Sequence, residues 1–175
     1  VTPLTDQSIA LQLFEIFKRP NIDFHTDAIL ALSNFFLICS ETKNLILQYV
    51  DEYGENIYSI LRDFFILCEK NDHIEAGLKF LYILTKSELG NNWTEFLQFL
   101  PIFPKILNKS FTINQEKIYY ILAIMLKHDN IFQYCQTFQL HSVLAECCRK
   151  DINLNQKYAY YLYKCVFLFV KRHYY

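Results

Sequence analysis

Apolar residues recur along this chain at helical intervals. Ile9, Leu13, Ile16 and Phe17 fall at i, i+4, i+7 and i+8, which is one face of a helix. Thr5 or Asp6 can cap that helix, and Pro20 closes it after Lys18 and Arg19. A second helix is expected from about Thr26 to Cys39, apolar on most sides and therefore buried on several. The pattern continues with Glu41 to Tyr53, a stop at Gly54, and Ile57 to Leu67. Asn71-Asp72 then caps a helix from His73 to Lys86, and Gly90-Asn91-Asn92 makes a turn. Trp93 to Leu100 forms a short helix, Pro101 and Pro104 force a bend, and Lys105 to Asn108 resumes. Asn114 to Lys127, Ile131 to Phe138 and Leu140 to Cys148 follow. A turn at Asp151-Ile152-Asn153 precedes the last helix, Asn155 to Val170. Ile, Phe and Tyr are plentiful and favour strands in isolation, but hairpin turn pairs are nearly absent. The fold class is all-α.

The helices also repeat. Ala28, Ala76, Ile118 and Ala159 occupy equivalent places in four long helices, 48, 42 and 41 residues apart, with two shorter helices between successive members. Three-helix units of about 40–47 residues are the period of armadillo and HEAT arrays. Such units stack to share a core that none can bury alone. The expected organisation is one α-solenoid domain over residues 1–175, with units at about 1–40, 41–89, 90–129 and 130–175. A chain that begins without a polar cap and ends on a Tyr-rich helix reads as a piece of a longer array.

Composition narrows the function. The chain is 53% hydrophobic and 20% charged, with a net charge of -1, so neither disorder nor a nucleic-acid partner is expected. No apolar run reaches the roughly 18 residues of a membrane span. The six cysteines sit mostly within apolar helical runs, where free thiols act as small core residues, which points to a reducing compartment, cytoplasm or nucleus.

Catalytic signatures are missing: there is no G-x-S-x-G elbow, no H-E-x-x-H pair and no Gly-rich phosphate loop. Cys135, His141, Cys147 and Cys148 lack the C-x₂₋₄-C spacing of structural zinc. The histidines fall near helix ends, as caps or solvated turn residues. The expectation is a non-enzymatic protein with no cofactor and no metal.

Three stretches carry a family resemblance. Asp27-Ala28-Ile29-Leu30-Ala31-Leu32-Ser33-Asn34 resembles the E-A-x-W-A-L-S-N motif in the third helix of armadillo repeats of the importin-α type. Leu47 to Gly54 is similar to that family's V-D-A-G junction with one extra residue, and Leu100 to Leu107 to its G-x-I-P-x-L-V stretch. The resemblance implies a right-handed superhelix whose third helices line a concave groove for an extended peptide. In that family a Trp and an Asn, four residues apart, hold the peptide. The matching pairs in this chain are Leu30 and Asn34, Leu78 and Tyr82, Tyr120 and Ile124, and Tyr161 and Cys165. Only Asn34 keeps the family's residue, and the sole tryptophan, Trp93, lies in a first helix.

The expected contact residues are therefore Asn34, Leu30, Leu78, Tyr82, Tyr120 and Tyr161. Glu41, Glu75, Glu88 and Glu116 either rim the groove or serve as helix-start acids. The expected function is a protein- or peptide-binding armadillo scaffold, in its finer form a nuclear transport adaptor. A structural helical-repeat subunit of a larger assembly is the alternative.

Overall fold

The computed structural model of the protein describes residues 6–109, 112–135, 137–150 and 156–174. Among them are ten α-helices and one short 3-10 helix, with no strand. The chain divides into two compact units, residues 1–83 and 84–175, and the boundary falls inside the fifth helix.

In the first unit, α1 (Asp6–Ile16) ends in a tightened turn. Phe17, Lys18 and Arg19 each donate to the carbonyl three residues back, which uses up the last acceptors before Pro20. Its core face is Ala10 and Phe14, one residue round from the expected Ile9 and Leu13. Helix α2 (Ile22–Ile38) begins four residues earlier than Thr26, because Asn21 caps it and accepts from the Asp23 amide. Thr26 and Ser33 are buried in α2 because their hydroxyls donate to Ile22 and Ile29, one turn back. Cys39 is extended and serves as both the last cap of α2 and the first of α3 (Ser40–Gln48).

Helix α3 stops at Gln48, five residues short of the expected Tyr53. Tyr49 turns extended and stacks its ring on Phe14, with centroids 3.8 Å apart. Asp51 then closes the connecting loop, its carboxylate accepting from the amides of Tyr53 and Glu55 at 2.8 Å each. Gly54 completes that turn at φ +80, a conformation other residues rarely adopt. An Asn56–Ser59 capping box starts α4 (Ile57–Leu67), which buries Ile57, Tyr58, Leu61, Phe64 and Phe65. Helices α1, α2 and α3 contact one another, and α2 also meets α4.

Helix α5 (Asn71–Phe96) carries the chain into the second unit. The expected break at Gly90-Asn91-Asn92 is present as a kink at Asn92 (φ -125, ψ 34), where two helical stretches meet within α5. A 3-10 turn (Leu97–Phe99) leads to α6 (Phe103–Lys109), where Pro104 sits in the first turn and needs no amide. Helix α7 (Thr112–Leu126) buries Ile118, Tyr119, Ile121, Leu122, Met125 and Leu126. Helices α8 (Asp129–Cys135) and α9 (Leu140–Lys150) are joined through Gln139, a non-glycine residue at φ 55. Helix α10 (Gln156–Tyr174) lies along α7 in the most extensive helix pairing of the unit. It buries Leu162, Cys165 and Phe169, and the Cys165 thiol donates to the Tyr119 carbonyl at 3.3 Å. The expected cap at Thr5, the turn at Asp151-Ile152-Asn153, Tyr175 and the side chains of Tyr158 and Tyr174 lie outside the described residues.

Candidate functional site

The expected contact residues occupy different environments. In α2, Asn34 is exposed and Leu30, one turn earlier on the same face, is half-buried. Tyr82 in α5 is half-buried. Leu78 is a correction: at 0% exposure it belongs to the core and presents nothing to a partner. It lies among Ala76, Phe80 and Leu81, all of them buried as well, so this stretch of α5 is enclosed on nearly every side. In the second unit, Tyr120 and Tyr161 meet edge to face with ring centroids 4.8 Å apart, and Tyr160 adds a further edge against Tyr161. Among the proposed acids, Glu88 is buried and takes a long contact from Asn92, so it rims no groove.

The histidines also differ from their expected role. His25 and His73 start helices, as anticipated, but both rings turn inward and are buried. His25 Nε2 donates to the Arg19 carbonyl, and His73 Nε2 lies 2.8 Å from an Asp23 carboxylate oxygen. Cys135 is buried and His141 packs near Phe169. Among the described residues no group of His, Cys, Asp and Glu converges to hold a metal ion. No described helix is long and apolar enough to cross a membrane.

None of the expected contact residues lines a half-open cavity of the first unit, of about 360 Å³. That volume falls in the range of small-molecule sites. The walls come from α1 and the turn after it, His25 of α2, the α3–α4 loop and α4. Phe14, Phe17, Tyr49 and Phe64 supply aromatic surface. Two further lining residues, Tyr53 and Leu67, are themselves 80% and 57% exposed.

Three carboxylates, Asp51, Glu55 and Asp63, share this lining with a single ammonium, Lys18. Lys18 is held by Glu15 at 3.0 Å, and that hydrogen bond raises its pKa above the ordinary lysine range. The Tyr49 hydroxyl is also held above its ordinary value, first by loss of solvent and then by the charges of Glu15, Asp51 and Glu52, with Lys18 acting against them. Glu55 Oε2 is buried and receives no hydrogen bond. The cavity is thus lined by rings and acids, with the Asp63 carboxylate paired to Arg62 at 2.8 Å.

The helix boundary at Tyr53 hid this site from the sequence reading. Tyr49-Val50-Asp51-Glu52-Tyr53-Gly54-Glu55 alternates rings with acids around an Asp-x-x-Gly turn. That signal was available, and it marks a loop rather than the end of a helix. Comparison of the chain with family models, curated proteins and solved structures found no match.

Proposed function

We propose that this chain is a non-enzymatic protein-binding scaffold, assembled from armadillo-like three-helix units stacked as a solenoid, acting in the cytoplasm or nucleus. A partner segment lies across the first unit, and part of it enters the cavity. The observation that carries this reading is the exposure of Tyr53 and Leu67 beside an aromatic interior. Tyrosines that combine an apolar body with a polar tip dominate binding hot spots. An exposed ring at the mouth of a pocket offers that combination in water.

The test is partner capture by the intact chain and by Tyr53→Ala and Leu67→Ala variants. Both residues are mainly in water, so the variants should keep their melting temperature while retained partner falls several-fold. Unchanged capture by the double variant would sink the reading. The nuclear-adaptor form makes a separate demand: Asn34 must clamp a peptide backbone, so Asn34→Ala should weaken peptide binding without affecting stability.

One observation favours the second reading, a structural subunit of a larger assembly. Leu37 and Ile38 in the first unit, and Phe167 and Val170 in the second, are each at least 47% exposed, apolar side chains of the kind assemblies cover. Light scattering across a concentration series separates the two readings. A subunit self-associates or precipitates alone, whereas a scaffold stays monomeric.

A further inference from the structure

We infer that the outer face of α10 docks an acidic amphipathic helix of a partner protein. This goes beyond the reading of the first unit, because it uses neither Tyr53 nor Leu67 and stands or falls without them.

Helix α10 has two apolar faces. Leu162, Cys165 and Phe169 are buried, on the side where Cys165 meets Tyr119 of α7 and Phe169 meets Phe132 of α8 and His141 of α9. Tyr160, Tyr163, Phe167 and Val170 are instead between 47% and 61% exposed. Successive members of this second set are three, four and three residues apart. At about 100° per residue the four span roughly 80° of the helix, away from the buried three. Alternating steps of three and four form the seam of paired helices, narrower than the face by which a helix meets a globular core. The stripe is partly fixed in place: the Tyr160 ring meets Tyr161 edge to face, and Tyr161 meets Tyr120 of α7. Rings held in this way lose little further freedom on binding.

Charge decides the occupant. Lys164 and Lys171 run along one flank of the stripe, seven residues apart, with Lys164 Nζ 5.6 Å from the centre of the Tyr160 ring. Helix α10 contains no Asp or Glu. The acids of α8 and α9 are turned to other cations, Asp129 to Arg172 and Glu146 to Arg149. The flank is thus a positive edge that carboxylates on a partner helix can match. A second copy of α10 cannot supply them. Packed antiparallel, it would set lysines against lysines. Packed parallel, it would set them against Ala159 and Val166. Binding to a bilayer surface grows with the apolar area buried, which a narrow stripe of four side chains limits.

The experiment titrates the intact chain at low salt with two fluorescent peptides of about three heptads. Both carry leucine at the seam positions, and one carries glutamate, the other lysine, at the flanking positions. Fluorescence anisotropy should show the glutamate peptide binding at least about tenfold more tightly than the lysine peptide. Phe167→Ala and Tyr163→Ala should each weaken it about tenfold. Both side chains are mainly in water, so melting temperatures should hold. Lys164→Glu combined with Lys171→Glu should reverse the preference between the two peptides.

Equal binding of the two peptides, a preference that survives the charge reversal, or binding that Phe167→Ala leaves intact would overturn the proposal. So would pelleting with phosphatidylserine vesicles that Phe167→Ala abolishes, which assigns the face to a membrane. A dimer in light scattering that the same variant breaks would overturn it too, by assigning the face to a second copy. Partner capture lost in Tyr53→Ala and Leu67→Ala, with no binding of the glutamate peptide, would sink this proposal alone. The converse would sink the reading of the first unit alone.

Discussion

Arg172 Nη1 lies 2.7 Å from an Asp129 carboxylate oxygen, fastening the end of α10 to the start of α8. Its second terminal nitrogen donates to the Lys127 carbonyl at 2.9 Å, and the guanidinium covers the Phe132 ring at 4.7 Å. Asp129 is 91% exposed, so the ion pair is largely screened, while Arg172 itself is mostly enclosed. The stabilisation therefore comes chiefly from the carbonyl bond and the ring. Arg172→Ala should cost about 1–2 kcal/mol. Asp129→Asn should cost less than about 0.5 kcal/mol. Urea unfolding of both variants checks the order, and equal losses would contradict it.

Two helical glycines in α5 should respond in opposite directions. A Cβ on Gly77 would fall 2.6 Å from Phe65 Cε1 and 3.0 Å from Phe64 Cε1, both on buried rings of α4. The helix-propensity gain of about 1 kcal/mol is then outweighed by overpacking of about 1–3 kcal/mol. Gly77→Ala should be less stable by about 1 kcal/mol on that balance. Gly90 has open space around its Cβ position, so Gly90→Ala should gain about 0.5–1 kcal/mol. Chemical denaturation of the two variants side by side measures the difference.

The hydrogen bond between the buried His73 ring and the exposed Asp23 carboxylate tests the asymmetry of hydrogen-bond loss. Nδ1 of His73 is buried without a partner, so Nε2 makes the ring's one hydrogen bond through Asp23. Asp23→Ala strands a buried polar ring and should cost about 1–3 kcal/mol. His73→Leu removes the polar atoms and should cost less. In the double variant the Asp23 effect should nearly vanish, and additive losses in a double-mutant cycle would rule out the coupling.

Cysteine alkylation should rank the thiols by environment. The backbone amides of Thr42 and Glu41, in the first turn of α3, face the Cys39 thiol and hold its pKa below the ordinary 9.0. Burial pushes Cys135 up to about 12 and raises Cys165 as well. The thiolate is the reactive form, so its fraction grows as pH approaches the pKa from below. Cys39 should react with iodoacetamide before either buried thiol, and its rate should plateau at a lower pH than that of a free cysteine. Cys135 and Cys165 should label only on unfolding. Peptide mapping of timed reactions reads this directly.

Periodicity made the helices legible because apolar spacing reports directly on which face is buried. Ile57–Leu67 was recoverable to the residue, with the Asn56–Ser59 box marking its start. Boundaries failed where a side chain, rather than a breaker residue, decides them. Asn21 starts α2 early through its cap, and Tyr49 ends α3 because its ring pairs with Phe14, a residue 35 positions away that no local pattern reveals. The cavity depended on that long-range pair and went unseen. Gly90-Asn91-Asn92 reads as a turn in composition, and the chain breaks there in a kink at Asn92 that is tighter than a full turn. Arg172, near the basic end of α10, reaches Asp129 and the Lys127 carbonyl more than 40 positions away, a clasp that no local pattern reveals.

The double duty of Cys39 bears on how this chain tolerates changes of length. With one residue between α2 and α3, no slack exists to absorb an insertion or deletion. A residue added within the first turn of α3 would rotate everything after it by about 100° around the helix axis. Thr42 and Ile46, the two buried residues of α3, would leave their places together, with the Glu41 carboxylate carried to the site of Thr42 and Leu45 to that of Ile46. The loop between Tyr49 and Asn56 is closed on itself through Asp51, so it too is fixed in length. Substitution can remodel the cavity wall, but a shift of register would dismantle it.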